Sequence, residues 1–151
     1  MISTKNRYIY PINKNDIASI TYTKSPAHKG KLKYAVDFII KEGTKIKAAL
    51  SGIVIDVKQN SDKGGITKKY DKYGNYIELR HKHKEYSIYE HIKKNGSLVK
   101  IGDKVKQGQV IGHSGKTGWT ALLGPHLHFD VHKYFGYGKN DYKTLKILWK
   151  K

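Results

Sequence analysis

No window of this 151-residue chain longer than about ten residues keeps a helical spacing of apolar side chains. What recurs is alternation, the period of a strand that turns one face to a core. In Ile53-Val54-Ile55-Asp56-Val57, residues 53, 55 and 57 share a side. From Asn75 to His81, Ile77, Leu79 and His81 lie on one side and Tyr76, Glu78 and Arg80 on the other. Tyr86 to His91 and Val105 to Ile111 follow, each bounded by glycine or a charged turn. Two stretches are helical candidates, the one after Ile92 and the tail Asp141 to Trp149. The expected fold is all-β, an antiparallel sandwich or barrel in one domain spanning 1–151.

Two segments are alike. Glu42-Gly43-Thr44-Lys45-Ile46 leads through a small-residue turn to Ser51-Gly52-Ile53-Val54. Ile101-Gly102-Asp103-Lys104-Val105 leads to Gln107-Gly108-Gln109-Val110-Ile111-Gly112. Such half-repeats suggest a pseudo-symmetric β-sandwich of the duplicated type found in lipoyl and biotinyl carrier modules; glycine turns recurring in any antiparallel protein account for them equally well. Two long loops, Lys58 to Gly74 and His113 to Pro125, exceed ordinary connection lengths, which in a folded domain marks function or disorder.

The second loop runs straight into Pro125-His126-Leu127-His128-Phe129. On a strand, His126 and His128 project together, continued by Asp130 and His132, while Leu127, Phe129 and Val131 face inward. Two imidazoles on one rigid face suit a metal ion and a second group acting on its bound water. The chain has no cysteine, so zinc would have to use nitrogen and oxygen ligands. Asp37, within Tyr34-Ala35-Val36-Asp37-Phe38-Ile39-Ile40, is a carboxylate among apolar neighbours, costly to bury unless paired or bound to a cation. His28, in a turn, and His91, where a strand gives way to a loop, are further candidates; His81, His83, His113 and His132 are weaker ones.

Lysine and arginine number 30 against 12 acidic residues, a net charge of +18. That predicts an anionic partner: nucleic acid, a membrane surface or a phosphate- and carboxylate-rich wall. The basic residues are dispersed and no nucleic-acid module is recognised, which argues against specific nucleic-acid binding. No apolar run reaches the length of a membrane span, and no signal-peptide core follows Met1 to Arg7.

Taken in order, several motifs resemble the lysostaphin/LytM-type zinc endopeptidases. They are His28-Lys29-Gly30 with Asp37-Phe38, Glu42-Gly43-Thr44, Ser51-Gly52-Ile53-Val54 and Gly74-Asn75-Tyr76-Ile77. Tyr89-Glu90-His91-Ile92, Val105-Lys106-Gln107-Gly108-Gln109, Ser114-Gly115-Lys116-Thr117-Gly118 and Gly124-Pro125-His126-Leu127-His128-Phe129 complete the series. They cover about residues 28–132, leaving 1–27 and 133–151 as flanking segments. The resemblance implies a β-fold peptidase that cleaves stem peptides or cross-bridges of peptidoglycan with one zinc ion. It implies His28, Asp37 and His128 as metal ligands, His91 and His126 as the catalytic pair, and Asn75 and Tyr89 as substrate-orienting residues. The interval between His28 and Asp37 is longer than the family commonly shows. Peptidoglycan or another anionic wall polymer is the implied partner, the envelope or exterior the implied location, and a monomer the expected state. A non-catalytic wall-binding or hydrolase-activating module of the same fold is the alternative, and a sugar-phosphotransferase carrier a more distant one.

Overall fold

The computed structural model describes residues 2–22, 28–121 and 123–151. Its strands are β1 (Ser3–Tyr8), β2 (Ser19–Thr21), β3 (Val36–Ile39), β4 (Lys45–Lys47), β5 (Gly52–Lys58), β6 (Gly64–Gly65), β7 (Tyr76–Arg80) and β8 (Tyr86–Glu90). They continue as β9 (Ile92–Ser97), β10 (Lys104–Val105), β11 (Val110–Ser114), β12 (Gly118–Trp119), β13 (His126–Tyr134), β14 (Tyr142–Thr144) and β15 (Lys146–Trp149). Among the described residues, helix is confined to short 3-10 turns.

The main sheet runs β10-β5-β7-β8-β13-β3-β2, with β14 also on β13, and its neighbours are antiparallel. A second sheet, β4-β11-β9, lies across it. Between them sits the core. Ile46, Ile92 and Ile111 from the smaller sheet join Val36, Phe38, Val54, Ile77, Leu79, Tyr89, Leu127, Phe129 and Val131 from the larger, all buried. Alternation on β13 therefore works as the sequence implies, with Leu127, Phe129 and Val131 inward.

The half-repeats are a structural reality. The short strand of each half pairs with the long strand of the other: β4 with β11, and β10 with β5. The turns mirror this, with Ala48 and Gly108 bonded across one junction and Val54 and Gly102 across the other.

Both helical expectations give way to strands. After Ile92 the chain forms β9, which pairs with β11; only Ile92 and Gly96 of the stretch to Gly96 are buried, too few for an apolar helical stripe. The tail forms β14 and β15, and Leu145 and Ile147 enter the core at strand period. β15 pairs with β1 in parallel, so the flanking segments also supply Tyr8 and Ile12 to the same core. Glu85, fully buried, ties β1 down by accepting bonds from the Lys5 and Asn6 amides and the Tyr8 hydroxyl.

The two long loops meet each other. Gly64 and Gly65 of the first pair with Gly118 and Trp119 of the second. A Cβ at Gly64 would lie 2.0 Å from the Lys116 carbonyl oxygen, so only glycine allows that approach. The second loop also runs against His91, just beyond β8: Thr117 accepts from its ring, and a Cβ on Gly118 would lie 3.4 Å from its Nδ1.

Candidate active site

Register places the polar side chains in rows across the outer face of the main sheet. His128 on β13 stands opposite Asp37 on β3 and opposite Glu90 on β8. Directly paired residues of antiparallel strands share a face, so these three groups converge. Asp37 Oδ1 lies 3.3 Å from His128 Nδ1, and Asp37 Oδ2 lies 3.2 Å from His28 Nε2. His28 follows β2 in sequence, its Nδ1 2.5 Å from the Tyr22 carbonyl oxygen. That contact makes Nδ1 the donor and leaves the Nε2 lone pair facing Asp37.

His28, Asp37 and His128 are all buried. His28 Nε2 and both Asp37 oxygens carry no hydrogen bond of acceptable geometry despite these short distances. Buried polar atoms without partners are expensive; these three lie beside His128 Nδ1, and the two imidazole nitrogens with the Asp37 carboxylate form a donor set that suits zinc. Contacts from His128 and His28 outweigh the opposing effect of burial and hold the Asp37 carboxyl well below the usual carboxylate range. Burial disfavours a charged His128, yet Glu90, Asp130 and Asp37 drive its affinity for a proton well upward. A metal ion would compete with that proton for Nδ1. A second close group, Glu90, His128 and Asp130, shares His128 but meets it at Nε2.

His91 and His126 stand beside this set, their ring centres 4.4 Å apart. His126 Nε2 is 3.7 Å from Asp37 Oδ1, and the His91 ring is 6.3 Å from that of His128. His91 occupies the corner between β8 and β9 with a φ of 70°, a conformation side chains other than glycine rarely adopt. The corner is over-determined. The amides of His91 and Ile92 both donate to the Asn75 carbonyl, and the Gly115 amide donates to that of His91. Each ring gives its Nδ1–H to a backbone carbonyl, His91 to Thr117 at 2.6 Å and His126 to Gly124 at 2.8 Å. Both Nε2 atoms are thereby left as acceptors. Burial, reinforced by His126 and His128, pushes the His91 pKa down to about 3; burial also lowers that of His126. Two neutral imidazoles at pH 7 are what proton abstraction requires.

All five residues proposed from sequence as ligands or catalysts come together. The two proposed substrate contacts do not. Tyr89 points into the core, fully buried, its hydroxyl accepting from the Ala49 amide at 2.9 Å and the Ser87 hydroxyl at 3.1 Å. It lies on the face of β8 away from Glu90. Asn75 is equally buried, its side chain bonded to the Ser61 backbone and the Ile92 carbonyl and its amide to Thr117 Oγ1. It is a clamp on the His91 corner, not a surface for substrate.

Sequence reasoning ranks His132 among the weaker candidates and gives Asp130, Glu78 and Tyr134 no role. His132 Nδ1 is 2.7 Å from Asp130 and its Nε2 2.9 Å from Glu78, which also accepts from the Tyr134 hydroxyl at 2.6 Å. The signal was there, since residues 126, 128, 130, 132 and 134 are polar at every second position of one strand. A cavity of about 590 Å³ opens over this row, bounded by Glu90, Asp130, Tyr76, Tyr86 and Tyr142.

Residues 31–142 match Peptidase family M23, so Asp37, His91, His126 and His128 lie within the match and His28 just before it. An uncharacterized metalloprotease of Buchnera aphidicola is 38% identical over 149 residues, covering 97% of this chain and 34% of the relative. Lysostaphin of Staphylococcus simulans is 39% identical over 100 residues, covering 66% of this chain and 18% of that protein. The chain thus spans about a third or less of these relatives. Among solved structures, a zinc-containing peptidase from Vibrio cholerae superposes with a TM-score of 0.62 at 30% identity, over 83% of this chain and 36% of that one. The catalytic domain of lysostaphin gives 0.60 at 29%, over 86% and 89%. A match over most of its length, together with the relative that covers nearly all of it, places the chain in peptidase family M23.

Proposed function

We propose that the chain hydrolyses peptide bonds in peptidoglycan stems or cross-bridges, using one zinc ion held by His28 Nε2, Asp37 and His128 Nδ1. The convergence of three buried donor residues, with His28 Nε2 and both Asp37 oxygens lacking hydrogen-bond partners, carries this reading. Bound there, zinc would supply Lewis acidity and a water whose pKa is lowered to about 7. The protein's own part lies with His91 and His126. A neutral Nε2, fixed by its ring's bond to a backbone carbonyl, accepts the proton of the attacking water and returns it to the leaving amine. The other ring, after taking a proton from solvent at its free Nε2, offers that N–H to the developing oxyanion. Relatives named as endopeptidases of peptidoglycan, such as one of Vibrio cholerae at 36% identity, support the substrate class. So does the net charge of +18, which draws the chain to an anionic wall outside the cytoplasm. The complete donor set disfavours a purely wall-binding module.

The test is peptide release from purified walls by zinc-loaded protein, with bound metal quantified. His91→Ala keeps zinc and loses hydrolysis; His128→Ala loses both. Full activity in either variant contradicts the role given to that residue.

A further inference from the structure

His128 has two nitrogens, and the proposed function uses one. Its Nε2 faces the opposite way, toward a buried run of side chains that continues along β13 and across to β7. Asp130 Oδ2 lies 3.4 Å from His128 Nε2. The other oxygen of Asp130 takes His132 Nδ1 at 2.7 Å, and His132 Nε2 reaches Glu78 at 2.9 Å. Carboxylates only accept, so His132 donates from both ring nitrogens and is clamped between two acids. Asp130, His132 and Glu78 are all buried. Register explains the line: His128, Asp130 and His132 are successive outward residues of β13, and both Asp130 and Glu78 stand opposite Ile88 of the intervening β8. Glu90 also approaches His128 Nε2, at 3.2 Å, but its side chain is 35% exposed and forms no aligned bond.

We propose that Asp130, held in place by His132 and Glu78, is a positioning residue for His128. It accepts the Nε2–H, which fixes the tautomer that leaves Nδ1 free and locks the ring at the angle that aims Nδ1 at Asp37. Metal affinity is thus set partly by residues two and three contacts away from any ligand atom. The inference rests on the metal site of the proposed function but is read from binding, independently of peptidase activity.

Zinc dissociation constants are measured by competition with a chromophoric chelator for wild type, Asp130→Asn, His132→Gln, Glu78→Gln and Tyr134→Phe. Each metal-free protein is melted alongside as a folding check. Loss of an outer partner of a metal-bound histidine weakens binding by about 10- to 100-fold. That loss is expected in Asp130→Asn, with smaller losses in His132→Gln and then Glu78→Gln. Tyr134→Phe, at the end of the line, stays within about twofold of wild type on the same reasoning. If Asp130→Asn does not fold, the His132 and Glu78 variants decide the matter through the same gradient. Lower melting temperatures with unchanged dissociation constants would reduce the line to a structural brace and overturn the proposal. Failure of the wild-type chain to bind zinc would reject the metal site itself, and this proposal with it.

Discussion

His132 makes the stability of this fold depend on alkaline pH. Burial opposes its charge, but Asp130 and Glu78 on either side raise its pKa from 6.5 to about 9. Below pH 6.5 both folded and unfolded chains hold the proton, and the full contribution is present. Between 6.5 and 9 the unfolded chain releases it first, so stability declines; above 9 the contribution is gone. At about 1.36 kcal/mol per pH unit, (9 − 6.5) × 1.36 gives roughly 3 kcal/mol. The side chain is 3% exposed, so solvent screening removes little of it. The assay is urea unfolding of chelator-treated wild type and His132→Gln from pH 6 to 10. His128 also has a raised proton affinity and contributes in the same sense, but it is common to both proteins. The gap between the two curves is expected to close by about 3 kcal/mol as pH rises through that window. Parallel curves would show that His132 is not held as an imidazolium between two acids, and would refute the argument.

Three further outcomes are expected. Tyr89→Phe leaves the Ala49 amide buried without its acceptor and lowers unfolding free energy by about 1–3 kcal/mol, while KM for a wall peptide is unchanged; a raised KM would return Tyr89 to the substrate. Gly118→Ala places a Cβ 2.7 Å from Gly74 Cα and 3.4 Å from His91 Nδ1, at a φ of +86°. It displaces the loop that holds His91 and costs about a hundredfold in kcat with zinc retained, so wild-type turnover would contradict the clamp. Lysis of whole walls falls with added salt faster than cleavage of a short neutral peptide, because screening acts on the lysine-rich surface and not on the buried site; equal salt dependence would deny the charge its role.

What could be read from the sequence followed the physics that acts locally. Alternation exposed most central strands because one face of each is buried, and it placed His126 and His128 on the outer side of β13. The half-repeats were visible because the same turn chemistry serves both copies. The tail misled for want of context: Leu145, Ile147 and Trp149 fit strand spacing, but only the parallel pairing with β1, about 140 residues earlier by the register of Ser3 with Lys146, brings Leu145 and Ile147 into the core and Trp149 against it. Tyr89 and Asn75 were misjudged because a polar side chain beside a catalytic motif serves packing or substrate, and only burial distinguishes these. Asp130 and His132 stand out in the sequence as outward residues, but their pairing with Glu78 depends on the register of β7 against β8, which no local pattern specifies. The contact of the two glycine loops is likewise non-local.

The central claim is that His28, Asp37 and His128 hold one metal ion. X-ray absorption on zinc-loaded protein, with metal content measured in parallel, tests it directly. About one zinc per chain is expected, with two imidazole nitrogens and one carboxylate oxygen near 2.0 Å, and loss of the ion when any one of the three becomes alanine. Zinc retained undiminished in all three variants would contradict it.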